Sequence, residues 1–504
     1  MLSLRYVDCG IRSERQRSCW SWLLVCLLFS ALPCAGQRPQ AWTPDVVLNG
    51  AVTDANAQTY LELPFRVSAG VSRITVDFSY TDRDKHTSID LGLFDPQRFR
   101  GWSGGNKSTF TVSETDATPS YLPGSIPSGT WNLILGIPNI ERGVHSTYEA
   151  KIYFSHPGEP PAVSTFSSAP LRSGPAWYRG DLHMHTAHSD GSCLSQSGVS
   201  VPCPLYRTVE TAASRHLDFI AISDHNTISQ YDAMRELQPF FDRMLLIPAR
   251  EITTFYGHAN VFGTTEFIDF RVGSRSIPNS NALLAEVARA HAILSINHPG
   301  APSNASCMGC GWTAPGTDYS KVTAIEAINN GGQPEGPYSN IPFWQDKLNK
   351  GFRLTGVGGS DNHEPDYPLA IPSAIGHPTT VVYAENLSEN AILDGIKAGH
   401  VFIDVEGATD RTLEFSARSG AQTAIMGDIL KVPAGETVQF NIRMVDLTGA
   451  HPEIVHDTPE QLLTNEAMNG FAYKSDGKRH WFRVNVRSAD GRLLIVGNPI
   501  YLNF

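Results

Sequence analysis

Histidine and carboxylate side chains recur at the ends of apolar segments in the middle of this sequence. Each apolar run is short enough to be a buried strand. The residues that follow the five runs are His183, His185 and Asp190; Asp224 and His225; Glu251, with His258 seven residues later; His298; and Asp361 with His363. Two histidines separated by one residue lie on the same side of a strand, so both rings can reach one ion. Mixed imidazole and carboxylate ligands predict a metal centre.

Each of these motifs alone has an ordinary structural explanation. A single histidine at the end of a strand is more often a hydrogen-bonded structural residue than a ligand. Asp224 and His225 could cap a helix, and the segment from Asp361 to His363 could be a polar loop. The repetition of the motif at one position of the topology favours a metal site, because a coincidence would have to recur on five strands.

The elements that must position these residues alternate between strands and helices. Over residues 176–406, apolar runs alternate with helical stretches at Leu205–His216, Asn281–Ala292 and Ser388–Ala398. Such alternation is typical of a mostly parallel α/β fold. In a β/α barrel the carboxyl ends of the strands surround one mouth, where active sites of that architecture lie.

Strand-rich regions flank this α/β region on both sides. Residues 41–154 contain short runs of alternating apolar and polar residues separated by turns, which predicts an antiparallel β-sandwich. Residues 155–175 are rich in Pro, Ser and Gly and are expected to form a linker. Residues 412–504 return to short strands and predict a small β domain packed on the barrel.

The N-terminal segment has the features of a secretory signal. Four arginines precede an apolar run, Cys19–Leu32, of 14 residues, whereas a membrane-spanning helix needs about 20. Small residues follow the run, so residues 1–36 are expected to be a cleaved signal peptide. Lipid attachment at Cys34 is the alternative, and the preceding Pro33 disfavours it. We therefore expect a secreted or periplasmic protein with no transmembrane anchor in its mature chain.

Four cysteines remain in the mature chain: Cys193, Cys203, Cys307 and Cys310. An even number in an oxidising compartment predicts disulfides, although four cysteines permit three pairings. Cys307 and Cys310 could instead form half of a zinc site, but the sequence has no second CxxC motif to complete it.

The composition restricts the class of partner. With 41% hydrophobic and 18% charged residues, the chain has the composition of a globular protein. Lys and Arg total 39 against 50 Asp and Glu, a formal charge of −11. Since nucleic-acid binding usually needs a basic surface, nucleic acid is a disfavoured partner.

The motif set resembles that of the PHP (polymerase and histidinol phosphatase) superfamily. The matching segments are Asp-Leu-His183-Met-His185 with the following Asp190-Gly, Ser-Asp224-His225-Asn, Glu251-Ile-Thr, Asn-His298-Pro and Gly-Ser-Asp361-Asn-His363. The flanking β regions, Gly-His258-Ala-Asn-Val-Phe-Gly and the closing Asn498-Pro-Ile-Tyr501 are similar to the secreted CehA/McbA-like branch. The resemblance implies an α/β fold with a distorted (β/α)7 barrel, flanked by the N-terminal β-sandwich and the small C-terminal β domain.

The resemblance also implies a site for two or three divalent metal ions, with Zn, Mn or Fe as candidates. The first ion would be held by His183, His185, Glu251 and Asp361, with Glu251 bridging to the second. The second would be completed by His258 and His298, and the third would be held by Asp190, His225 and His363. A metal-bridging hydroxide would then attack a phosphate ester, which implies a phosphoesterase acting on a small-molecule ester.

Three other functions compete with this one. A carboxylic or carbamate ester hydrolase is what the CehA/McbA-like resemblance implies. A 5′–3′ exonuclease is known among PHP proteins, but the acidic charge and the expected export disfavour it. A non-enzymatic surface binding protein is the last alternative, and the complete set of ligand positions disfavours it.

Three further residues are candidates for supporting roles. Asp224 could orient His225, because a metal-bound histidine usually donates its second N–H to an oxygen. Glu326 and Asn330 could line the substrate pocket, with ordinary capping or packing as the favoured explanation for both.

Overall fold

The structure is a computed structural model that describes residues 42–105, 107–159, 166–167, 169–304, 307–331, 333–408, 410–457 and 468–504. The predicted signal peptide, residues 1–36, and Cys34 lie outside the described residues. Every strand and helix given below belongs to one unit, Thr43–Phe504.

Two antiparallel sheets form the N-terminal part of this unit. Their strands are β1 (Val46–Thr53), β2 (Thr59–Val67), β3 (Arg73–Tyr80), β4 (Ser88–Phe94), β5 (Phe99–Gly104), β6 (Thr109–Ser113), β7 (Gly129–Asn139) and β8 (His145–Ser155). The strand order is β1-β8-β3-β6 in one sheet and β2-β7-β4-β5 in the other. Apolar side chains of both sheets, including Phe110 and Trp131, form one buried cluster, because alternate residues of a strand share a face.

The middle part combines strands with short helices. The strands are β9 (Arg172–Asp181), β10 (Ser192–Leu194), β11 (Ser200–Pro202), β12 (Phe219–Ile222), β13 (Leu245–Thr254), β14 (Gly257–Phe262), β15 (Ile293–Ile296), β16 (Ala324–Asn329), β17 (Thr355–Gly359), β18 (Thr379–Leu387) and β19 (Val401–Asp404). The helices are α1 (Leu205–Ser214), α2 (Gln230–Leu237), α3 (Ser280–Arg289), α4 (Ile341–Asn349) and α5 (Glu389–Ala398). The side chains of Asn279 and Ser388 cap the amino ends of α3 and α5 by accepting backbone N–H groups.

The C-terminal part consists of short strands. They are β20 (Thr412–Ser419), β21 (Gln422–Ile425), β22 (Ile429–Leu430), β23 (Thr437–Val445), β24 (His451–His456), β25 (Gly470–Lys474), β26 (His480–Arg487), β27 (Leu493–Gly497) and β28 (Ile500–Leu502). A separate sheet has the order β21-β20-β23-β25.

One long sheet connects the middle and C-terminal parts, with the order β17-β16-β15-β14-β13-β12-β9-β18-β19-β27-β26-β28-β22 and with β24 paired to β26. Strands β9, β12 and β13 run parallel, as do β15, β16 and β17, whereas β14 is antiparallel to both of its neighbours. The Gly358 N–H of β17 donates to Thr380 Oγ1 of β18 at 2.7 Å. The strands from β9 to β17 therefore curve back until the first and last of them lie close to β18.

A mixed α/β fold is confirmed, but strands dominate it, and the distorted (β/α)7 barrel and the flanking β domains implied by the resemblance are not confirmed. Strands β13 and β14 form a hairpin in which Thr254 pairs with Gly257, so only Phe255 and Tyr256 connect them. A parallel pair needs a crossover of a dozen or more residues, so this short connection makes β14 antiparallel. The long sheet also crosses the predicted boundary at residues 406–412 through the β19–β27 pair, and the domain limits remain predictions.

Disulfides join Cys193 to Cys203 and Cys307 to Cys310. Of the three pairings that the sequence left open, the structure therefore has the one in which both disulfides are local. Within the described residues, no helix combines the length and the apolar character that crossing a bilayer requires.

A buried ion cluster joins the N-terminal sheets to the middle part. Asp116, which follows β6, is fully buried. Its carboxylate accepts from Arg73 of β3 at 2.5 and 3.2 Å, from Arg235 of α2, and from Thr265 Oγ1 at 3.0 Å. The two guanidinium groups hold the pKa of Asp116 well below its usual value, although burial acts in the opposite direction.

Candidate metal centre

The nine predicted metal ligands converge at one edge of the long sheet. The strand-end residues are His183, His185 and Asp190 after β9, His225 after β12, His298 after β15, and Asp361 and His363 after β17. Glu251 lies near the end of β13 and His258 near the start of β14. Because the β13–β14 hairpin pairs Thr253 with His258, the antiparallel strand also brings its histidine to this edge.

Glu251 lies at the centre of the cluster and is fully buried. Its Oε2 lies 3.3 Å from His183 Nε2, 3.5 Å from His185 Nε2 and 2.9 Å from His225 Nδ1. Its Oε1 lies 3.3 Å from both His258 Nδ1 and His298 Nε2. One carboxylate thus faces five imidazoles, which is the position expected of a bridging ligand.

The ligand atoms form three overlapping groups, within each of which all atoms lie within 4.8 Å of one another. The groups are His183, His185 and Asp361; His183, Glu251 and His298; and His185, Asp190, His225 and His363. They resemble the three ion sites implied by the resemblance, with three differences: Glu251 belongs to the second group and not to the first, His183 is shared by the first two, and His185 also belongs to the third. His258 is outside these groups but contacts Glu251, so it can complete the second.

The buried polar atoms at the centre fit a bound cation. His183 Nε2, His185 Nε2, His258 Nε2 and Glu251 Oε2 are buried and have no hydrogen-bond partner among the described residues. A buried nitrogen or carboxylate oxygen without a partner costs about 1–3 kcal/mol or more. Of these atoms, His183 Nε2 and His185 Nε2 face Glu251 Oε2 at 3.3 and 3.5 Å. Divalent cations between them would explain this arrangement, and the donor set suits Zn, Mn or Fe.

The charges of the cluster shift one another's pKa values. For Glu251, burial raises the pKa but His183 and its neighbours lower it, and the result is well below the usual value. Burial lowers the pKa of His183, but Asp361 and Glu251 raise it well above the usual value. Nearby carboxylates outweigh burial and raise the pKa of His298 to about 9 and that of His363 to about 8. Without metal, these imidazoles therefore carry protons at neutral pH, and a cation must displace them.

Glu326 is buried and hydrogen-bonds to candidate ligands instead of lining an open pocket. It is 2% exposed. One of its oxygens lies 3.0 Å from His183 Nδ1, and the other accepts the His298 N–H at 2.8 Å and Asn329 Nδ2 at 3.1 Å. Because a carboxylate only accepts, Nδ1 of His183 carries the proton and Nε2 presents its lone pair to the centre.

Asp224 supports the loop after β9 instead of orienting His225. Its carboxylate accepts the Thr186 N–H at 2.7 Å, the Thr186 hydroxyl at 2.8 Å and the Ser189 hydroxyl at 2.6 Å. The oxygens next to His225 Nδ1 are instead Thr253 Oγ1, at 2.6 Å, and Glu251 Oε2, at 2.9 Å. The expectation that Asp224 orients His225 is therefore wrong. Its side chain points toward Thr186 and Ser189, although it is the neighbour of His225 in the sequence.

Asn330, the other candidate for lining the pocket, lies just beyond β16. Its backbone N–H donates to the Gly359 carbonyl oxygen at 3.0 Å, and its φ of 41° places it in the left-handed region. This backbone contact holds the chain after β16 against β17, which precedes Asp361.

Two supporting groups were not anticipated from the sequence. Asn297 Nδ2 donates to Glu251 Oε1 at 2.9 Å, and His298 Nδ1 lies 2.8 Å from the carbonyl oxygen of Cys310. The asparagine adjoins a predicted ligand, which is a weak signal. A backbone carbonyl twelve residues away has no sequence signature, since every residue has one.

Comparisons with known proteins give low similarities. No family model matches the chain, and no curated protein matches it. A two-domain protein from Bacteroides vulgatus containing a predicted PHP-like metal-dependent phosphoesterase is 18% identical, with a TM-score of 0.36, over 68% of this chain and 99% of that one. A protein from Bifidobacterium adolescentis assigned as a metal-dependent phosphoesterase is 16% identical, with a TM-score of 0.28, over 43% and 94%. A lesion-specific endonuclease from Pyrococcus furiosus is 14% identical, with a TM-score of 0.30, over 44% and 56%. At these values the similarities carry no conclusion about the function of this chain.

Proposed function

We propose that this protein is a multinuclear metal-dependent hydrolase that acts on phosphate esters of small molecules. The observation that carries the proposal is the ring of histidine nitrogens and carboxylate oxygens around Glu251, several of them buried without a hydrogen-bond partner. Two or three divalent ions, with Zn, Mn and Fe as candidates, would be held by the three groups of ligand atoms. When bound, such ions supply Lewis acidity and lower the pKa of coordinated water to about 7.

The charge of the ligand set favours an anionic substrate. The three groups contain three carboxylates, those of Asp190, Glu251 and Asp361, and the other ligands are imidazoles. Two or three divalent cations would outweigh this negative charge and leave the site electropositive. A phosphate ester gains from such a site, both in binding and as charge develops on its oxygens in the transition state.

The exposure of the ligands indicates the side from which a substrate approaches. The side chains of His183 and His185 are fully buried, whereas those of Asp190 and His363 are 56% and 37% exposed. The third group therefore lies at the mouth, and the second group, whose three members are all buried, lies at the bottom. Glu326 and Asn297 hold the buried ligands His183 and Glu251 in place through hydrogen bonds.

The test is metal content measured together with hydrolysis. Purified mature protein is analysed by plasma mass spectrometry and assayed on p-nitrophenyl phosphate, naphthyl carbamate and single-stranded DNA, before and after chelation. We expect two or three ions per chain and chelator-sensitive hydrolysis of the phosphate ester, restored by adding metal. Turnover of the carbamate or the DNA instead would replace the substrate class, and turnover that survives complete metal removal would refute the mechanism.

Two variants connect the activity to the cluster. Glu251→Gln removes the negative charge at the centre of the cluster, and with it the carboxylate expected to bridge two ions. At the same free-metal concentration as for the wild type, this variant should lower both metal content and kcat by at least about a hundredfold. His291→Asn is the matched control. It removes a histidine that is exposed and has a φ of 53°, a conformation that Asn tolerates, and it should change neither quantity.

We also propose that the chain acts outside the cytoplasm. The signal-like N-terminus and the two disulfides support this location, because disulfides persist in oxidising compartments. Fractionation followed by N-terminal sequencing of the mature protein tests it. Recovery in the cytoplasm with residues 1–36 still attached would contradict it.

A further inference from the structure

The loop closed by the Cys307–Cys310 disulfide is built against the second group of ligands. The Cys310 carbonyl oxygen lies 2.8 Å from His298 Nδ1, so this nitrogen donates and Nε2 faces Glu251 at 3.3 Å. Gly309, with a φ of 82°, packs so tightly against the Thr254 carbonyl that a Cβ would overlap it. The disulfide loop therefore contacts His298 directly and also contacts the hairpin that carries Glu251 and His258.

The chain on either side of this disulfide reinforces the contact. Trp312 N–H donates to the Pro299 carbonyl at 3.3 Å, and Thr313 N–H donates to the Tyr256 carbonyl at 2.7 Å. The segment after His298 thus folds back over the histidine, and the disulfide holds the turn at which it does so.

The Cys193–Cys203 disulfide lies against the third group through backbone contacts. It joins β10 to the residue after β11, immediately beyond Asp190. Cys203 N–H donates to the Gly191 carbonyl at 2.9 Å, and Ser192 N–H donates to the His363 carbonyl at 2.7 Å. The hairpin that it closes therefore ties the chain of Asp190 to that of His363, whose side chains lie 3.4 Å apart.

We propose that each disulfide is a positioning device for one ion: Cys307–Cys310 for the ion at Glu251, His258 and His298, and Cys193–Cys203 for the ion at Asp190, His225 and His363. This inference rests on the proposed function, because it assumes that the centre binds metal. It goes further by assigning a separate support to each of two sites. The first group, His183, His185 and Asp361, lies outside the two loops that the disulfides close. It should keep its ion when both disulfides are removed.

The physical reason is the cost of orienting a ligand at the moment of binding. A histidine held by a hydrogen bond to its second nitrogen is already in the tautomer and ring orientation that binding requires. If the loop is released, the carbonyl of residue 310 is still present but must be ordered each time an ion binds. Loss of such a supporting contact typically weakens metal affinity by about 10- to 100-fold, which is the effect expected at one site for each disulfide.

The experiment uses two full-length double variants, Cys307→Ser/Cys310→Ser and Cys193→Ser/Cys203→Ser, each serving as the control for the other. Serine removes the bond without leaving a thiol that could itself bind metal. The ion count per chain is measured by plasma mass spectrometry at a buffered free-metal concentration at which the wild type is just saturated, and affinities are measured by titration against a chromophoric chelator. Thermal unfolding of each variant shows whether it is folded.

Ligand backgrounds identify which ion is lost. In the His298→Ala background, Cys307→Ser/Cys310→Ser should cause no further loss of metal, because the site that it supports is already weakened. In the His363→Ala background it should weaken another ion by about 10- to 100-fold. The Cys193→Ser/Cys203→Ser variant should show the reverse pattern, and raising the metal concentration should restore the full count in both.

Three results would overturn the proposal. Folded variants that keep the wild-type count and affinities would show that the disulfides do not position ligands. An equal weakening of all ions in both backgrounds, accompanied by a lower melting temperature, would show a general effect on stability. A wild-type protein that binds no metal would refute the proposed function and this inference together, which distinguishes that failure from the other two.

Discussion

Replacing Glu326 by glutamine should weaken metal binding, although the change is isosteric. The two oxygens of Glu326 accept from opposite sides: one from His183 Nδ1 at 3.0 Å, the other from the His298 N–H at 2.8 Å. Glutamine offers one oxygen and one NH2 group. In either orientation of the amide, an N–H of His183 or His298 must face another donor, so one buried hydrogen bond is necessarily lost.

The size of the effect follows from that count. One buried donor without an acceptor costs about 1–3 kcal/mol, which corresponds to about a 5- to 150-fold change in an equilibrium constant. The cost falls on the metal-bound state, because a bound ion fixes the His183 ring with Nε2 toward the centre and Nδ1 toward residue 326, whereas without metal the ring can turn away from the amide. We therefore expect Glu326→Gln to lower the affinity for the ion held by His183 by a factor in this range. At limiting metal concentration, kcat/KM on a phosphate ester should fall in parallel.

The assay is a competition titration with a chromophoric chelator, and its control is Glu286→Gln. Glu286 pairs with the half-exposed Arg289 on helix α3 at 2.8 Å, so this variant removes the same charge at the surface and should change the affinity by less than about twofold, as exposed pairs contribute little. Glu326→Gln should lower metal affinity less in a His183→Ala background than in the wild type. Equal metal affinities of Glu326→Gln and Glu286→Gln would contradict this role of Glu326.

Three further outcomes are expected. Because the pKa of His298 is raised to about 9, this ring is protonated at pH 7 without metal. Metal binding should therefore release protons, and metal affinity should rise with pH up to about pH 9. Calorimetry in buffers of different ionisation enthalpy measures the protons released, and a result of none would contradict this expectation. Asp116→Asn leaves the guanidinium groups of Arg73 and Arg235, which are only 12% and 11% exposed, without their counter-charge, so urea unfolding should show a loss of about 3–5 kcal/mol in the free energy of unfolding; a loss below about 1 kcal/mol would refute the role of the ion cluster. Gly309→Ala adds a Cβ that meets the Thr254 carbonyl at a φ of 82°, so the ion at His298 should bind more weakly and the melting temperature should fall; an unchanged affinity would contradict the packing.

The positions of the candidate ligands could be predicted from the sequence because strand ends are a local feature. An apolar run, a change to polar residues and a His or carboxylate can all be recognised within ten residues, as at Leu217–His225. Parallel strands place such ends at one edge of a sheet whatever the details of the connections. This is why His225 and His298, 73 residues apart in sequence, could be assigned to one centre.

The directions of the strands in the long sheet could not all be predicted from the sequence. The short connection through Phe255 and Tyr256 makes β14 antiparallel, yet His258 still reaches the centre because it lies at the start of the strand. The alternation of strands and helices expected from the sequence therefore fails at β14, the strand that carries the candidate ligand His258. A register between strands depends on pairing partners, which periodicity along one strand does not contain.

The sequence by itself determined which residue types are available at the strand ends, the mixed α/β character and the four cysteines available for disulfides. Only the tertiary structure decided that Glu251 faces five imidazoles, that Asp224 supports the Thr186 loop rather than His225, that Glu326 lies beneath His183, and which cysteines are paired. The reason is physical: a residue type and its position in a strand are local properties, whereas the partner of a buried oxygen is set by side chains brought together from distant parts of the chain.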